Sequence, residues 1–162
     1  MKHFPGLGKV AENTDFAVGH DRVSQLTADE LSSFQDAIDA GVSSVMISSA
    51  IYDLVDPGVP AVFSSVIIED ILRARMGYTG AVISDDLGAA VAVAGYSAEQ
   101  RALRFFAAGG DLLISADPTL TTQMVNATRA KVDADPQFAA SVTDKAGRVL
   151  KLKSSVGLVS CS

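Results

Sequence analysis

The sequence predicts an α/β fold with parallel strands, because short apolar runs alternate with helical patterns along the chain. Three runs stand out, namely Val45–Ser48, Ala81–Ser84 and Leu112–Ser115. A helical pattern separates each run from the next, as in βαβ units. A closed eight-stranded barrel typically needs about 250 residues, whereas this chain has 162. The residues alone therefore predict either a small doubly wound domain or part of a barrel.

Capping residues and apolar spacing predict the helices. Thr27 and Glu30 have the spacing of a capping box, and Gln100 likewise lies three residues after Ser97. Leu31 and Ile38 then recur on one face, and Gly41 suits the helix stop. We interpret such apolar stripes as core packing. The predicted helices run from Thr27 to Gly41, from Ser64 or Ser65 to Gly77, from Ser97 to Gly109, from Thr121 to Val132, and onward from Pro136.

Composition narrows the class of protein. Apolar residues make up 48% and charged residues 20%, which indicates a globular chain. The net charge of −6 argues against a sequence-independent nucleic-acid binder, which needs a basic face. No apolar run approaches the length of a membrane span. Cys161 is the only cysteine, so no intrachain disulfide can form, and we interpret its thiol as incidental.

Polar residues that follow parallel strands are the candidates for chemistry, because functional groups in such folds lie at the carboxyl ends of strands. Asp85 and Asp86 follow one strand, and Ser115 to Asp117 follow another. Since side chains alternate along a strand, one aspartate of the pair is expected to face a site. The structural alternative is that both aspartates cap a helix that starts near Leu87.

The chain also opens with a notable motif, Lys2 to Gly8, which reads Lys-His-Phe-Pro-Gly-Leu-Gly. Lysine and histidine supply hydrogen-bond donors and an acceptor that suit a polyhydroxylated ligand. Pro5 and Gly6 predict a turn. The glycines lack the spacing of a phosphate-binding Walker A loop. The alternative interpretation is a solvated terminus.

These motifs together resemble glycoside hydrolase family 3. Residues 2–8 resemble its KHFPGxG motif, and Ile83 to Leu87 resemble its (I/F)SDDL segment. Residues 45–52 resemble the strand that follows the motif loop, and residues 108–113 resemble the AGGD entry to the last strand. The resemblance covers nearly the whole chain. Within the family it is strongest to β-N-acetylglucosaminidases of an actinobacterial type.

The resemblance implies a retaining glycosidase that uses no metal and no cofactor. Asp85 would be the nucleophile, and Lys2 and His3 would bind the hydroxyls of the sugar. Residues 1–162 would form a single catalytic-half domain. This domain is the C-terminal half of a (β/α)8 TIM barrel, with three to four parallel strands and the N-terminal half absent.

Two departures from the family pattern limit what the resemblance implies. Many members carry Asp-x-His after the first motif as an acid/base pair, and the equivalent residues here are Asn13, Thr14 and Asp15. We take Asp15 as the tentative general acid/base and His20 as a weaker alternative. The upstream strands that supply other substrate contacts are also missing. The chain is therefore expected to be weakly active alone.

Several readings remain open beside a β-N-acetylhexosaminidase that acts on cell-wall-derived glycans. One alternative is an inactive barrel fragment. Another is a β-glucosidase or glycoside phosphorylase of the same family. We expect a homo-oligomer or a partner chain that completes the barrel, since unpaired strand edges seek partners. A receiver-like signalling domain fits poorly, because no lysine follows the last strand. No signal peptide is recognised at Met1, and an envelope or secreted location is expected only if the parent protein resembles actinobacterial relatives.

Overall fold

A computed structural model describes residues 1–160 and contains parallel strands with helices between them. Its strands are β1 (His20–Asp21), β2 (Ser44–Ile47), β3 (Ile51–Tyr52), β4 (Ala81–Asp86) and β5 (Leu112–Ile114). The main sheet has the order β2–β4–β5, and both pairings are parallel. A second, two-residue parallel pairing joins β1 to β3. The predicted α/β class with a parallel sheet is therefore confirmed, while Cys161 lies outside the described residues.

The first residues of the chain add a fourth position to the main sheet. Phe4 pairs in parallel with Ile47 of β2. Its amide donates to the carbonyl of Met46 at 2.8 Å, and its carbonyl accepts from the amide of Ser48 at 2.8 Å. Within residues 1–160 the sheet is open, with one free edge at Met1–Phe4 and the other at β5.

The helices lie where capping and spacing predict them, with boundaries moved by a few residues. The capping box of Ser97 and Gln100 starts α2. The reciprocal bonds of Thr27 and Glu30 also form, but they lie on a turn before α1, which begins at Ser32 without a side-chain cap. Gly41 adopts a φ of +83° after the first helix. No helix in the described part of the chain is long and apolar enough to cross a membrane. The helices are α1 (Ser32–Asp39), a π-helix (Val66–Arg75), α2 (Ala98–Ala107), α3 (Thr121–Ala134) and α4 (Pro136–Ser155).

The two faces of the sheet differ in burial. Val45, Ile47 and Val82 are fully buried in the main core. Alternation places Met46 and Ile83 on the opposite face, where they are only half-buried. On β5, Leu112 and Ile114 are each 37% exposed. One face of the sheet is therefore packed, and the other is open in the described chain.

A buried ion cluster joins three elements beneath β5. The Asp111 carboxylate is fully buried and accepts from Arg73 of the π-helix and from Arg148 of α4, each at 2.8 Å. It also accepts from the backbone amide of Val82 at 2.8 Å. Because a buried charge must be paired, this cluster fixes α4 and the π-helix against the sheet.

Candidate active site

The Lys2-to-Gly8 motif forms a tight turn around the point where the first residues of the chain pair with β2. The peptide bonds Lys2–His3 and Phe4–Pro5 are both cis, and Gly6 has a φ of +119° that favours glycine. The Gly6 amide donates to the His3 carbonyl at 2.8 Å. From β3, the Tyr52 hydroxyl donates to the Gly6 carbonyl at 2.5 Å. These contacts hold His3 at the rim of the sheet.

The end of β4 carries an irregularity next to the candidate nucleophile. The register with β5 shifts between Ile83 and Asp86. The Ser84 hydroxyl accepts from the Ile114 amide at 2.9 Å, in place of a regular ladder bond. Such bulges commonly re-aim a side chain beside a functional site. Asp85 therefore lies in the irregular part of the strand, and both aspartates belong to β4 rather than following it.

Asp86 holds the loop that follows β4. Its carboxylate accepts from the amides of Gly88 (2.8 Å), Ala116 (2.7 Å), Ala89 (2.8 Å) and Ala90 (3.1 Å). Burial raises the pKa of this carboxyl, but these four donors outweigh burial and lower it below its ordinary value. Asp86 thus stays ionised. The expectation that it caps a helix near Leu87 is wrong, because an irregular loop lies there.

Asp85 has a different environment and lies beside His3. Its Oδ1 accepts only from the Asp86 amide, at 2.9 Å. Its Oδ2 lies 3.9 Å from His3 Nε2, longer than a hydrogen bond but close enough for attraction when the imidazole is protonated. The two side chains are 28% (His3) and 18% (Asp85) exposed. The carboxylate of Asp85 and the imidazole of His3 therefore lie side by side, both partly exposed.

The other residues predicted for the site are placed less closely. Lys2 is exposed, and none of the salt bridges among residues 1–160 involves it. The Asp15 side chain is exposed as well. However, its backbone carbonyl accepts from the Val91 amide at 3.1 Å, so its loop lies against the segment after β4.

His20, the weaker acid/base candidate, is half-buried and has a carboxylate partner. It lies in β1, and its Nδ1 is 3.0 Å from Oδ2 and 3.2 Å from Oδ1 of Asp53. Both side chains are half-buried, and Arg22 lies 3.6 Å from the same carboxylate. Sequence reasoning missed Asp53 as this partner, and 33 residues separate the pair. The hydrogen bonds of His20 go to Asp53 and not to Asp85.

The described cavities lie away from this group. One of about 500 Å³ and another of about 370 Å³ flank β5, and neither includes His3 or Asp85 in its walls. Ser49, just beyond β2, carries a buried hydroxyl with no hydrogen-bond partner among residues 1–160. No cluster of three or more potential metal ligands occurs in the same residues. His3 and Asp85 thus lie partly exposed at the carboxyl edge of the sheet and outside these cavities.

Comparisons with known proteins place this arrangement in a family. The sequence model for the glycosyl hydrolase family 3 N terminal domain matches residues 1–152. The chain superposes on a crystal structure of a β-N-acetylhexosaminidase from Beutenbergia cavernae with a TM-score of 0.89 and 47% identity, covering 94% of this chain. It matches a family 3 β-N-acetylglucosaminidase from a Paenibacillus species with a TM-score of 0.89 and 30% identity, over 99% of this chain.

Curated relatives agree with these structures. A β-hexosaminidase from Stenotrophomonas maltophilia is 35% identical over 133 residues, which cover 81% of this chain and 39% of that protein. One from Xanthomonas campestris is 33% identical over 161 residues, or 98% of this chain and 43% of its own length. The chain also spans 46% of the Beutenbergia protein and 32% of the Paenibacillus one. It thus spans less than half of each of these relatives, and it belongs to glycosyl hydrolase family 3.

Proposed function

We propose that this chain supplies the catalytic half of a retaining glycosidase that removes terminal β-N-acetylglucosamine residues from cell-wall-derived glycans. The observation that carries the proposal is the approach of His3 to Asp85, at 3.9 Å, on the rim of a parallel sheet. The names of the Beutenbergia and Paenibacillus relatives support an N-acetylhexosaminide as substrate. Residues 1–162 then act as a single catalytic-half domain of a (β/α)8 barrel.

In this proposal the Asp85 carboxylate attacks the anomeric carbon and forms a glycosyl ester as the glycosidic C–O bond breaks. The leaving oxygen takes the proton of the general acid, and water, deprotonated by the same group, then hydrolyses the ester. His3 and Lys2 bind sugar hydroxyls. A retaining enzyme needs an ionised carboxylate on one face of the sugar and a proton donor about 5 Å away on the other. Asp85 suits the first role because its Oδ2 is not held by a backbone donor among residues 1–160. Asp86 is unsuited to the second role, since its lowered pKa keeps it unprotonated.

The proton donor is assigned to Asp15, with His20 as the alternative. The contact between the Asp15 backbone and Val91 brings its loop against the segment that follows Asp85. His20 is the alternative because Asp53 holds its imidazole, as a carboxylate orients a catalytic histidine.

A chimera tests the proposed function directly. The part of the Beutenbergia protein that this chain does not match is joined to residues 1–162, so that the barrel is complete. We expect the chimera to hydrolyse p-nitrophenyl N-acetyl-β-glucosaminide, and Asp85→Asn to lower kcat by at least about 10³-fold, the scale seen when a nucleophile is lost. Asp133→Asn, at an exposed position of α3, is the matched control and keeps activity. Full activity of Asp85→Asn would contradict the proposal.

The chain alone is expected to turn over this substrate weakly or not at all, because it spans only 46% of the Beutenbergia protein. Completion by a second copy or by a partner chain is part of the proposal. If the chain is instead an inactive barrel fragment, the chimera should not hydrolyse the substrate either. If the family member is a β-glucosidase, the chimera should prefer the corresponding glucoside as substrate. If it is a glycoside phosphorylase, the chimera should transfer the sugar to phosphate rather than to water. The same assay separates these alternatives.

A further inference from the structure

The segment that follows β4 is held by charged side chains from two sides. The Asp86 carboxylate accepts from three backbone amides of this segment, those of Gly88, Ala89 and Ala90. The buried Arg101 guanidinium of α2 donates to three of its carbonyls, those of Leu87, Gly88 and Tyr96. Hydrogen bonds to charged groups are stronger than neutral ones. We therefore expect residues 87–96, which we call the platform, to be rigid.

Two consecutive amides of the platform bind a different loop. The Val91 amide donates to the Asp15 carbonyl at 3.1 Å, and the Ala92 amide donates to the Thr14 carbonyl at 3.2 Å. Thr14 is buried at this contact, whereas Asp15 is exposed. Within residues 1–160, no other hydrogen bond joins residues 11–18 to the rest of the fold. These two docking bonds therefore set where the loop lies.

The docked loop folds into a turn around Asn13. The Asn13 carbonyl accepts from the amides of Phe16 and Ala17, each at 3.0 Å. The Asn13 Oδ1 accepts from the Asp15 amide at 2.9 Å. Because the turn is bonded internally, it moves as one unit. The docking bonds thus determine the position of Asp15 relative to β4.

The position of His20 does not depend on the docking bonds. His20 lies in β1, which pairs with β3, and Asp53 contacts its imidazole. The two candidates for the proton donor are therefore held by different parts of the fold. Loosening the docking bonds should displace Asp15 and leave His20 in place.

We infer that the backbone amides of Val91 and Ala92 position Asp15 as the general acid, and that Asp86 supports them by fixing the platform. The inference rests on the proposed function, since it takes Asp15 as the group that protonates the leaving oxygen. A displacement of about 1 Å can lower a rate by about 10²-fold. Asp86 is then a positioning residue, which links the strand of the nucleophile to the loop of the acid.

Val91→Pro removes one docking bond and little else. Proline has no amide hydrogen and fits the first position of the short 3₁₀ helix Val91–Val93. Ala90 already has φ −62° and ψ 131°, an extended conformation that suits the residue before proline. Val91→Ala keeps the amide, so it is the matched reference. Asn13→Ala, at an exposed position, is a second variant that loosens the same turn without touching the platform.

The first measurement compares two substrates of the chimera, dinitrophenyl and phenyl N-acetyl-β-glucosaminide. Dinitrophenolate leaves without a proton, whereas the phenyl glycoside needs the general acid. Relative to Val91→Ala, we expect Val91→Pro to lower kcat/KM about 10- to 100-fold for the phenyl glycoside and less than about twofold for the dinitrophenyl one. Asn13→Ala should show the same preference to a smaller degree.

Equal losses on both substrates would overturn the inference, because a general loss of structure does not depend on the leaving group. No loss on either substrate would also overturn it, and is the result expected if His20 is the proton donor. In both cases, hydrolysis by the Val91→Ala chimera would leave the proposed function standing.

The second measurement needs no activity and uses the 162-residue chain. Amide hydrogen exchange at Phe16 and Ala17, followed by NMR, should be about fivefold faster in Val91→Pro than in Val91→Ala, the factor expected for one lost hydrogen bond. The buried Val82 amide, which donates to Asp111, should exchange alike in both variants. Unchanged exchange at Phe16 and Ala17 would overturn the inference. If the Val91→Ala chimera hydrolyses neither substrate, the proposed function fails, and this exchange result alone decides whether the platform holds the loop.

Discussion

Asp86→Asn separates the structural aspartate from the candidate catalytic one. In the folded chain the Asp86 carboxylate accepts four backbone hydrogen bonds, two at each oxygen. Asparagine keeps one oxygen and replaces the other by an amide nitrogen, which cannot accept a hydrogen bond. Two backbone amides therefore lose their acceptor, whichever way the side chain is turned.

The loss is estimated from these contacts. A hydrogen bond to a charged group contributes about 1.5–3 kcal/mol. Of the donors at Oδ2, Ala90 is 5% exposed and Ala89 is exposed. Water can replace the carboxylate only at Ala89. We therefore expect Asp86→Asn to lower the free energy of unfolding by about 2–3 kcal/mol. Asp85→Asn is the control and should change it by about 0.5 kcal/mol or less.

Urea unfolding followed by circular dichroism measures both variants, at pH 7 and at lower pH. The folded-state pKa of Asp86 is lowered, so its stabilisation is present above the unfolded value of about 3.9 and disappears as the pH falls through the folded value. The difference between wild type and Asp86→Asn should shrink over that range. Equal stability of wild type and Asp86→Asn at pH 7, or an equal loss for Asp85→Asn, would refute the assignment.

Three further substitutions test packing and capping. Asp111→Asn removes the negative charge that pairs with Arg73 and Arg148, and should lower the free energy of unfolding by about 3–5 kcal/mol. An unchanged midpoint of urea unfolding would contradict a stabilising role for this ion cluster. Ser97→Ala removes the cap of α2 and should cost about 1 kcal/mol in thermal unfolding, so a Tm equal to that of wild type would argue against the cap. Tyr52→Phe removes the hydrogen bond from the Tyr52 hydroxyl to the Gly6 carbonyl and should lower the free energy of unfolding in urea by about 1 kcal/mol. An unchanged free energy of unfolding would show that this hydrogen bond does not stabilise the turn.

Local sequence rules predicted the parts of the fold that depend on near neighbours. The capping boxes at Thr27 and Ser97 form because donor and acceptor are three residues apart. The main strands were predicted within two residues at each end because apolar runs mark them. The π-helix was expected only as a helix, because its apolar residues Ile67, Ile68, Ile71 and Leu72 recur at helical spacing.

Long-range pairings explain what sequence reasoning missed. The strands β1 and β3 have two residues each, too few for any periodic pattern, and the His20–Asp53 contact depends on their pairing. Asp86 is held partly by Ala116, which lies 30 residues away. The sequence placed Asp85 and His3 at strand ends but contained no information on their separation. Their approach depends on Phe4 pairing with Ile47.

The most direct test of the proposed mechanism is whether Asp85 forms a covalent bond to the sugar. The chimera is incubated with a 5-fluoro-N-acetylglucosaminyl fluoride, which traps the glycosyl intermediate of a retaining enzyme, and is then digested for mass spectrometry. We predict one added fluoro-sugar on the peptide that contains Asp85. Steady hydrolysis of the chromogenic substrate by the same chimera, with the label on another residue or with no label, would contradict the assignment.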